Sequence, residues 1–325
     1  MSWEGGDASA FPFSRVASAL LFGGLLVIAA LALVALLPAT AYAWTPGTHI
    51  MLGEAVLRSL SSLPLNVAGL LQAFPYDFLY GSIAADTSIA KKYAAPGRHC
   101  HAWNVGLEIH EQARDEPLKA FALGYLSHLA ADVVAHNYFV PHQLAVASRT
   151  AGFGHSYWES RFEAHLGEGH ARRAREVILL DHGRSDDLLD RVLSPTIFST
   201  PTNRRIFRGM VYVTDTESWQ RVFKVAKEMS RFDLPDAEVG AYMGRAYDFI
   251  IDFLVRIDRS EPYLLDPAGE EPLRFAKEVR REALRSGAAD TLAEEAARHF
   301  TMPDTTLEYA AQLSNPLIPL EPPSD

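Results

Sequence analysis

Apolar residues recur along this chain at helical rather than strand spacing. From Thr48 onward Ile50, Leu52, Val56, Leu57 and Leu60 share one side of a predicted helix, with Thr48 placed to cap its N-terminus. A second apolar and aromatic run, 75–85, ends at Asp86. The strongest pattern covers 116–140: Pro117 suits a first turn, and Phe121, Leu123, Leu126, Leu129 and Val133 make a broad apolar face. Another helix is predicted over 154–166. Between 172 and 311, amphipathic runs such as 216–229 and 239–257 alternate with Pro, Gly and Asp breaks. Sustained two-residue alternation, internal repeats, a GxGxxG motif and a phosphate-binding loop are all missing from the sequence. The pattern predicts an all-α protein with one multi-helix domain.

The first 43 residues read as a targeting segment and not as part of that domain. Arg15 precedes an uncharged run over 16–37, Pro38 breaks it, and Ala41-Tyr42-Ala43 offers small residues to a signal peptidase. Cleavage there makes Trp44 the first residue and predicts an exported protein, periplasmic or secreted. The run is also long enough to serve as an uncleaved membrane anchor. The helical domain is then expected over 44–315, with the proline-rich stretch 316–325 as a disordered tail.

Of the whole chain's formal charge of −10, Glu4, Asp7 and Arg15 contribute −1, which leaves −9 on the 282 residues after the leader. Such a surface is poorly suited to gripping a long nucleic acid, although bound divalent ions would offset part of it. Cys100 is the only cysteine, so no intrachain disulfide can form. It reads as a small buried side chain, with a thiolate ligand as the alternative.

Ten of the twelve histidines lie between His49 and His170. His128, Asp132 and His136 follow one another at four-residue steps, so they share a helix face over about 12 Å of axis. That is too long for one ion but suits a cluster bridged by Asp132. Their neighbours Leu129, Ala130, Ala131, Val133, Val134 and Ala135 argue for burial, where an unpaired charge is costly. His155 and Glu159 repeat the four-residue step, the spacing by which one helix presents two ligands to one zinc. Asp86 closes an apolar run, and either His99 or His101 could join it. His142, behind Pro141, is an alternative to His136. A free amine on Trp44 beside His49 would add an unusual pair. His110, His165, His170, His182 and His299 read as surface histidines. Imidazoles and carboxylates of this kind suit a water-activating zinc centre for hydrolysis.

The stretches Trp44-Thr-Pro-Gly-Thr-His49, Gly81-Ser-Ile-Ala-Ala-Asp86, His101-Ala-Trp103, His128-x-x-x-Asp132-x-x-x-His136 and His155-x-x-x-Glu159 resemble the zinc-dependent phospholipase C family. That family is related to single-strand-specific zinc nucleases and to the catalytic domain of GPI-specific phospholipase D. The resemblance implies a helical monomer with three Zn2+ ions. Asp86, His101, His128 and Asp132 would hold one, His136, His155 and Glu159 a second, and Trp44, His49 and Asp132 the third. It also implies attack by a zinc-bound hydroxide, which Asp86 orients or deprotonates. The substrate would be a phospholipid or another phosphodiester, met at a membrane surface. The Trp44-to-His49 spacing resembles the nucleases, and the Asp132-to-His136 gap resembles the phospholipase D pattern. The alternatives are a nuclease or nucleotidase on the same scaffold, and a non-catalytic exported zinc-binding protein.

Overall fold

The computed structural model describes residues 44–89, 91–95, 97–147, 153–166, 169–214, 234–315 and 317. The chain divides into two compact units, Met1–Ala39 and Thr40–Asp325, and the described residues belong to the second. Among them there is no strand, and the domain is all-α. Its helices are α1 (Pro46–Arg58), α2 (Leu65–Ala73), α3 (Pro75–Ala84), α4 (Trp103–Gln112), α5 (Glu116–Val134), α6 (Val140–Ala147) and α7 (Phe153–Glu163). There follow α8 (His170–Ile178), α9 (Gly183–Val192), α10 (Thr200–Thr214), α11 (Asp236–Arg256), α12 (Glu270–Ser286) and α13 (Leu292–Phe300).

Helix α5 is the axis of the fold. Asp115 caps it by accepting the Leu118 amide at 3.1 Å, Pro117 sits in its first turn, and nearly every later residue is buried. The segment Glu116–Ala147 is long and apolar enough to cross a membrane, but 94% of its most apolar window is buried inside the protein, which makes it a core element. Helices α3, α4 and α11 pack against α5, and α1 packs against α3 and α8.

The α3–α5 contact is unusually close because glycines face backbone across it. A methyl group built on Gly124 would lie 2.9 Å from Ser82 N and 3.0 Å from Gly81 Cα, and closer still to Phe78 O. One on Gly81 would meet Phe121 O and stand 2.9 Å from Tyr125 N. This approach brings the end of α3, with Asp86, against the middle of α5, with His128 and Asp132.

After Val134 the helix widens into a π turn, Ala135–Phe139, in which the Val140 amide donates to Ala135 O. Pro141 explains it. Proline has no N–H to donate to Asn137 O and its ring crowds that carbonyl, so the turn before it opens by one residue. The continuous helix predicted over 116–140 is thus interrupted at His136.

Other expectations shift by a turn. Thr45, not Thr48, is the N-cap of α1, because Pro46 is pre-set for the first helical position; Thr48 lies inside the helix with its hydroxyl 3.2 Å from that of Thr45. The 154–166 helix is α7 and ends at Glu163, and the 239–257 run is α11. The 216–229 run and all but Leu317 of the 316–325 tail lie outside the described residues.

Candidate metal centre

Four separated segments bring buried ligand groups together beside α5. His49 enters from the first turns of α1. Asp86 comes from the short 3-10 turn Ala85–Thr87, which continues α3 and turns the carboxylate inward. His101 lies just ahead of α4, and His128 and Asp132 project from α5. Each of these five side chains is 0–2% exposed.

His101 Nε2 is the hub. It lies 2.9 Å from Asp132 Oδ2, 3.0 Å from His128 Nε2 and 3.4 Å from Asp86 Oδ1. His49 Nε2 is 3.3 Å from Asp132 Oδ1, and the His49 ring stacks on that of His128 with centroids 3.8 Å apart. Asp86, His101 and His128 form one set of donor atoms within 4.8 Å of one another, and His49, His128 and Asp132 form another.

The outer ring nitrogens are already committed. His128 Nδ1 donates to Ser82 O at 2.9 Å, a carbonyl in the last turn of α3 that has no partner further along its helix. His136 Nδ1 donates to Pro267 O at 2.5 Å. In each ring the other nitrogen is left as the lone-pair atom, an arrangement that fixes the tautomer of metal-binding histidines. His101 Nδ1 lies 3.2 Å from Cys100 Sγ, and Tyr125 donates its hydroxyl to Cys100 O at 2.6 Å.

The donor set fits a divalent cation. Asp86 Oδ2, both carboxylate oxygens of Asp132 and His49 Nε2 are buried atoms that accept or donate no hydrogen bond of acceptable geometry, although they crowd one another. Buried polar atoms are rarely left so, and a bound cation satisfies all of them at once. Burial opposes ionisation of Asp132, but the imidazoles of His128, His101 and His49 hold it well below the usual carboxylate range. For Asp86 the same opposition is overcome by the Lys91 ammonium and His128. Glu159 is buried and its pKa is pushed well up, first by burial and then by the charge of Asp86. Asp86 and Asp132 are thus two ionised carboxylates in one interior, a charge that a bound cation would complement.

His101, not His99, enters the hub; His99 instead accepts the His101 amide at 3.1 Å, and burial lowers its pKa to about 3. His136 stands at the far side with Nδ1 4.0 Å from Asp132 Oδ2, and burial lowers its pKa to about 4. Trp44 is wholly buried, stacked on Phe162 with centroids 5.2 Å apart and 6.2 Å from the His49 ring. His155 lies in α7, with its side chain outside the described residues. Cys100 is buried beside the hub and forms with His99 and His101 a further set of donor atoms within 4.8 Å of one another. His182 is not a surface residue: it is 6% exposed, stacks on Tyr80 at 3.8 Å and has Nε2 2.7 Å from Val177 O.

Two contributors escape sequence reasoning. Lys91 is 5% exposed, with Nζ 2.9 Å from Asp86 Oδ1 and 3.1 Å from His101 Nε2; nothing in the pair Lys91-Lys92 tells which lysine turns inward. The loop after α11 supports the π turn: Pro267 O holds His136, and Asn137 Nδ2 donates to Val133 O and Asp266 O, both at 2.8 Å. Gly269, at φ 57°, packs so closely that a methyl group there would lie 2.5 Å from His136 Cβ.

Residues 48–194 match the family model described as zinc dependent phospholipase C. No curated protein and no solved structure matches the chain.

Proposed function

We propose, on the premise that residues 48–194 make this chain a member of the zinc-dependent phospholipase C family, that the protein is an exported zinc-dependent phosphodiester hydrolase acting as a phospholipase C on glycerophospholipids. The observation that carries this reading is the buried convergence of His49, Asp86, His101, His128 and Asp132, in which Asp86 Oδ2, both Asp132 oxygens and His49 Nε2 have no hydrogen-bond partner. Zinc, when bound, supplies Lewis acidity toward a phosphoryl oxygen and lowers the pKa of a coordinated water to about 7.

The chain's own residues have separable tasks in this proposal. His128 presents its Nε2 lone pair to the cluster because Ser82 O holds Nδ1, and Pro267 O likewise fixes His136 through Nδ1, leaving Nε2 as its lone-pair atom. Asp132 faces both His49 and His101 and is the bridging carboxylate. Asp86 is kept ionised by Lys91, so it suits orienting a water better than accepting its proton. His136 and Glu159 would belong to an outer ligand group, to which the family resemblance adds His155, and the amine of a processed Trp44 would join His49. Cleavage of residues 1–43 as a leader would put the activity outside the cytoplasm, where a monomer would meet lipid at a membrane surface.

Parallel assays on phosphatidylcholine vesicles and single-stranded oligonucleotides, with and without chelator, test the proposal. Chelator-sensitive release of phosphocholine is expected, and Asp132→Asn should abolish it together with zinc binding. Turnover of oligonucleotides alone would assign the scaffold to a nuclease, and a zinc-loaded protein that turns over neither would be a binding protein.

A further inference from the structure

We infer that Glu163 is a positioning residue of the proposed centre: from the end of α7 it caps the start of α1 and so fixes where Trp44 and His49 stand. The capping rests on geometry alone, and its effect on zinc rests on the hydrolase reading above.

Helix α1 begins without the groups that usually complete a helix start. Thr45 makes no side-chain cap bond, and the first turn holds no acidic residue. Amides of such a turn have no acceptor within their own helix, and the positive end of the helix dipole lies beside them. An acid reaches this place from another helix. Glu163 is the last residue of α7, where a carboxylate opposes the dipole of the helix that carries it. Its side chain turns instead to the start of α1. A methyl group built on Gly47 would collide with Glu163 Oε1 and stand 3.1 Å from Cδ, and Thr45 hydrogen-bonds the same carboxylate.

Glycine is what admits the carboxylate. Gly47 is buried in the first turn of α1, and it is not among the glycines with positive φ, so no left-handed backbone calls for it. Apart from Glu163, the built methyl meets only Ala171 N, at an ordinary 3.4 Å. The space for a side chain at 47 is thus taken by Glu163.

The neighbouring residue makes a second contact with the same segment: Phe162 stacks on Trp44 with centroids 5.2 Å apart. The end of α7 therefore holds the chain on both sides of Pro46. The Trp44 and His49 rings, 6.2 Å apart, flank the capped turn, and Glu159 lies one turn back along α7. Loosening the cap frees α1's candidate ligands from those on α5 and α7.

The test compares full-length wild type, Gly47→Ala, Glu163→Ala, the double variant and Glu163→Gln. Hydrogen–deuterium exchange over residues 45–50 in excess zinc reads the cap, and chelator competition reads zinc affinity. Glu163→Ala should exchange about tenfold faster there and bind zinc about tenfold or more weakly in one phase. Glu163→Gln, which keeps an acceptor for Thr45, should recover most of both. Gly47→Ala should resemble Glu163→Ala, because the methyl displaces the carboxylate. In the Glu163→Ala background it should add no loss, since the space is free and alanine is the better helix former. Additive losses in the double variant would overturn the inference, as would wild-type exchange in Glu163→Ala. Fast exchange with zinc affinity untouched would reduce Glu163 to a structural cap and overturn its positioning role. Should Glu163→Ala not fold, equal exchange in Gly47→Ala and Glu163→Gln would overturn the inference. A chain that binds no zinc yet shows the coupling in exchange would sink the hydrolase reading and leave the cap standing.

Discussion

Gly124→Ala sets two physical effects of opposite sign against each other. In the interior of a helix alanine is favoured over glycine by about 1 kcal/mol, so propensity alone predicts a more stable protein. Packing predicts the reverse. The added methyl would stand 3.0 Å from Gly81 Cα and 2.9 Å from Ser82 N, with Phe78 O nearer still. Carbon–carbon contact is optimal at about 3.5 Å or more, so α3 and α5 must part by at least about 0.5 Å. All three obstacles are backbone-bound and cannot rotate away. A gap of that size forfeits about a quarter of each contact's attraction along the interface. Overpacking of this kind costs up to about 3 kcal/mol, so after the propensity gain the expected loss is about 2 kcal/mol. Urea unfolding of the zinc-saturated protein should show a midpoint about 0.7 M lower, for a slope of about 3 kcal/mol/M. Gly69→Ala is the control: the site is exposed on α2 with nothing within 4 Å of the added methyl, and it should stabilise by about 0.5–1 kcal/mol. If both variants gain stability alike, the claim that glycines set the α3–α5 approach is wrong.

Three further outcomes are expected. Gly269→Ala would press on His136 and strain a φ of 57°, so zinc affinity measured by chelator competition should fall about 10–100-fold in its weaker phase; unchanged affinity would remove the loop from the site. Burial raises the Asp248 carboxyl to about 6, above its unfolded value, so its contribution to stability is present at pH 4 and lost as pH rises through about 6. Asp248→Asn keeps an acceptor for the Ala310 amide and should therefore match the wild type at pH 4 and exceed it by roughly 1 kcal/mol at pH 7.5, after allowance for screening, as read from melting temperatures at both values. A chain carrying one residue ahead of Trp44 lacks the amine beside His49 and should bind zinc at least about tenfold more weakly; equal affinity by chelator competition would discard the amine as a ligand.

The legible parts of this protein are those that depend on local pattern. Helix α5 could be read because Pro117 and a long apolar run agree on one element, and His49, Asp86, His128 and Asp132 could be read because charged residues inside apolar helices need partners. The π turn was hidden, since the proline that causes it lies two residues beyond it and also suits the start of the next helix. Thr48 has the residue type of a cap, but Pro46, pre-set for the first helical position, moves the cap to Thr45. His182 looked like a surface residue, yet its stacking on Tyr80 joins positions 102 residues apart in number. Lys91 and Pro267 are the sharpest cases. Their contacts are set by the closing of a turn and by a chain return across 131 residues, which no spacing rule encodes.

The grip of Pro267 and Gly269 on His136 has a consequence for how such a centre can change. The inner group comes from α1, α5 and the turns just after α3 and just ahead of α4, whereas the outer histidine answers to a loop far along the chain. Substitutions at Pro267 or Gly269 can thus shift His136 without touching the side chains of the inner group. A fragment ending near residue 194 would lose that loop together with α11 from the side of α5, so both halves of the chain share in building one centre.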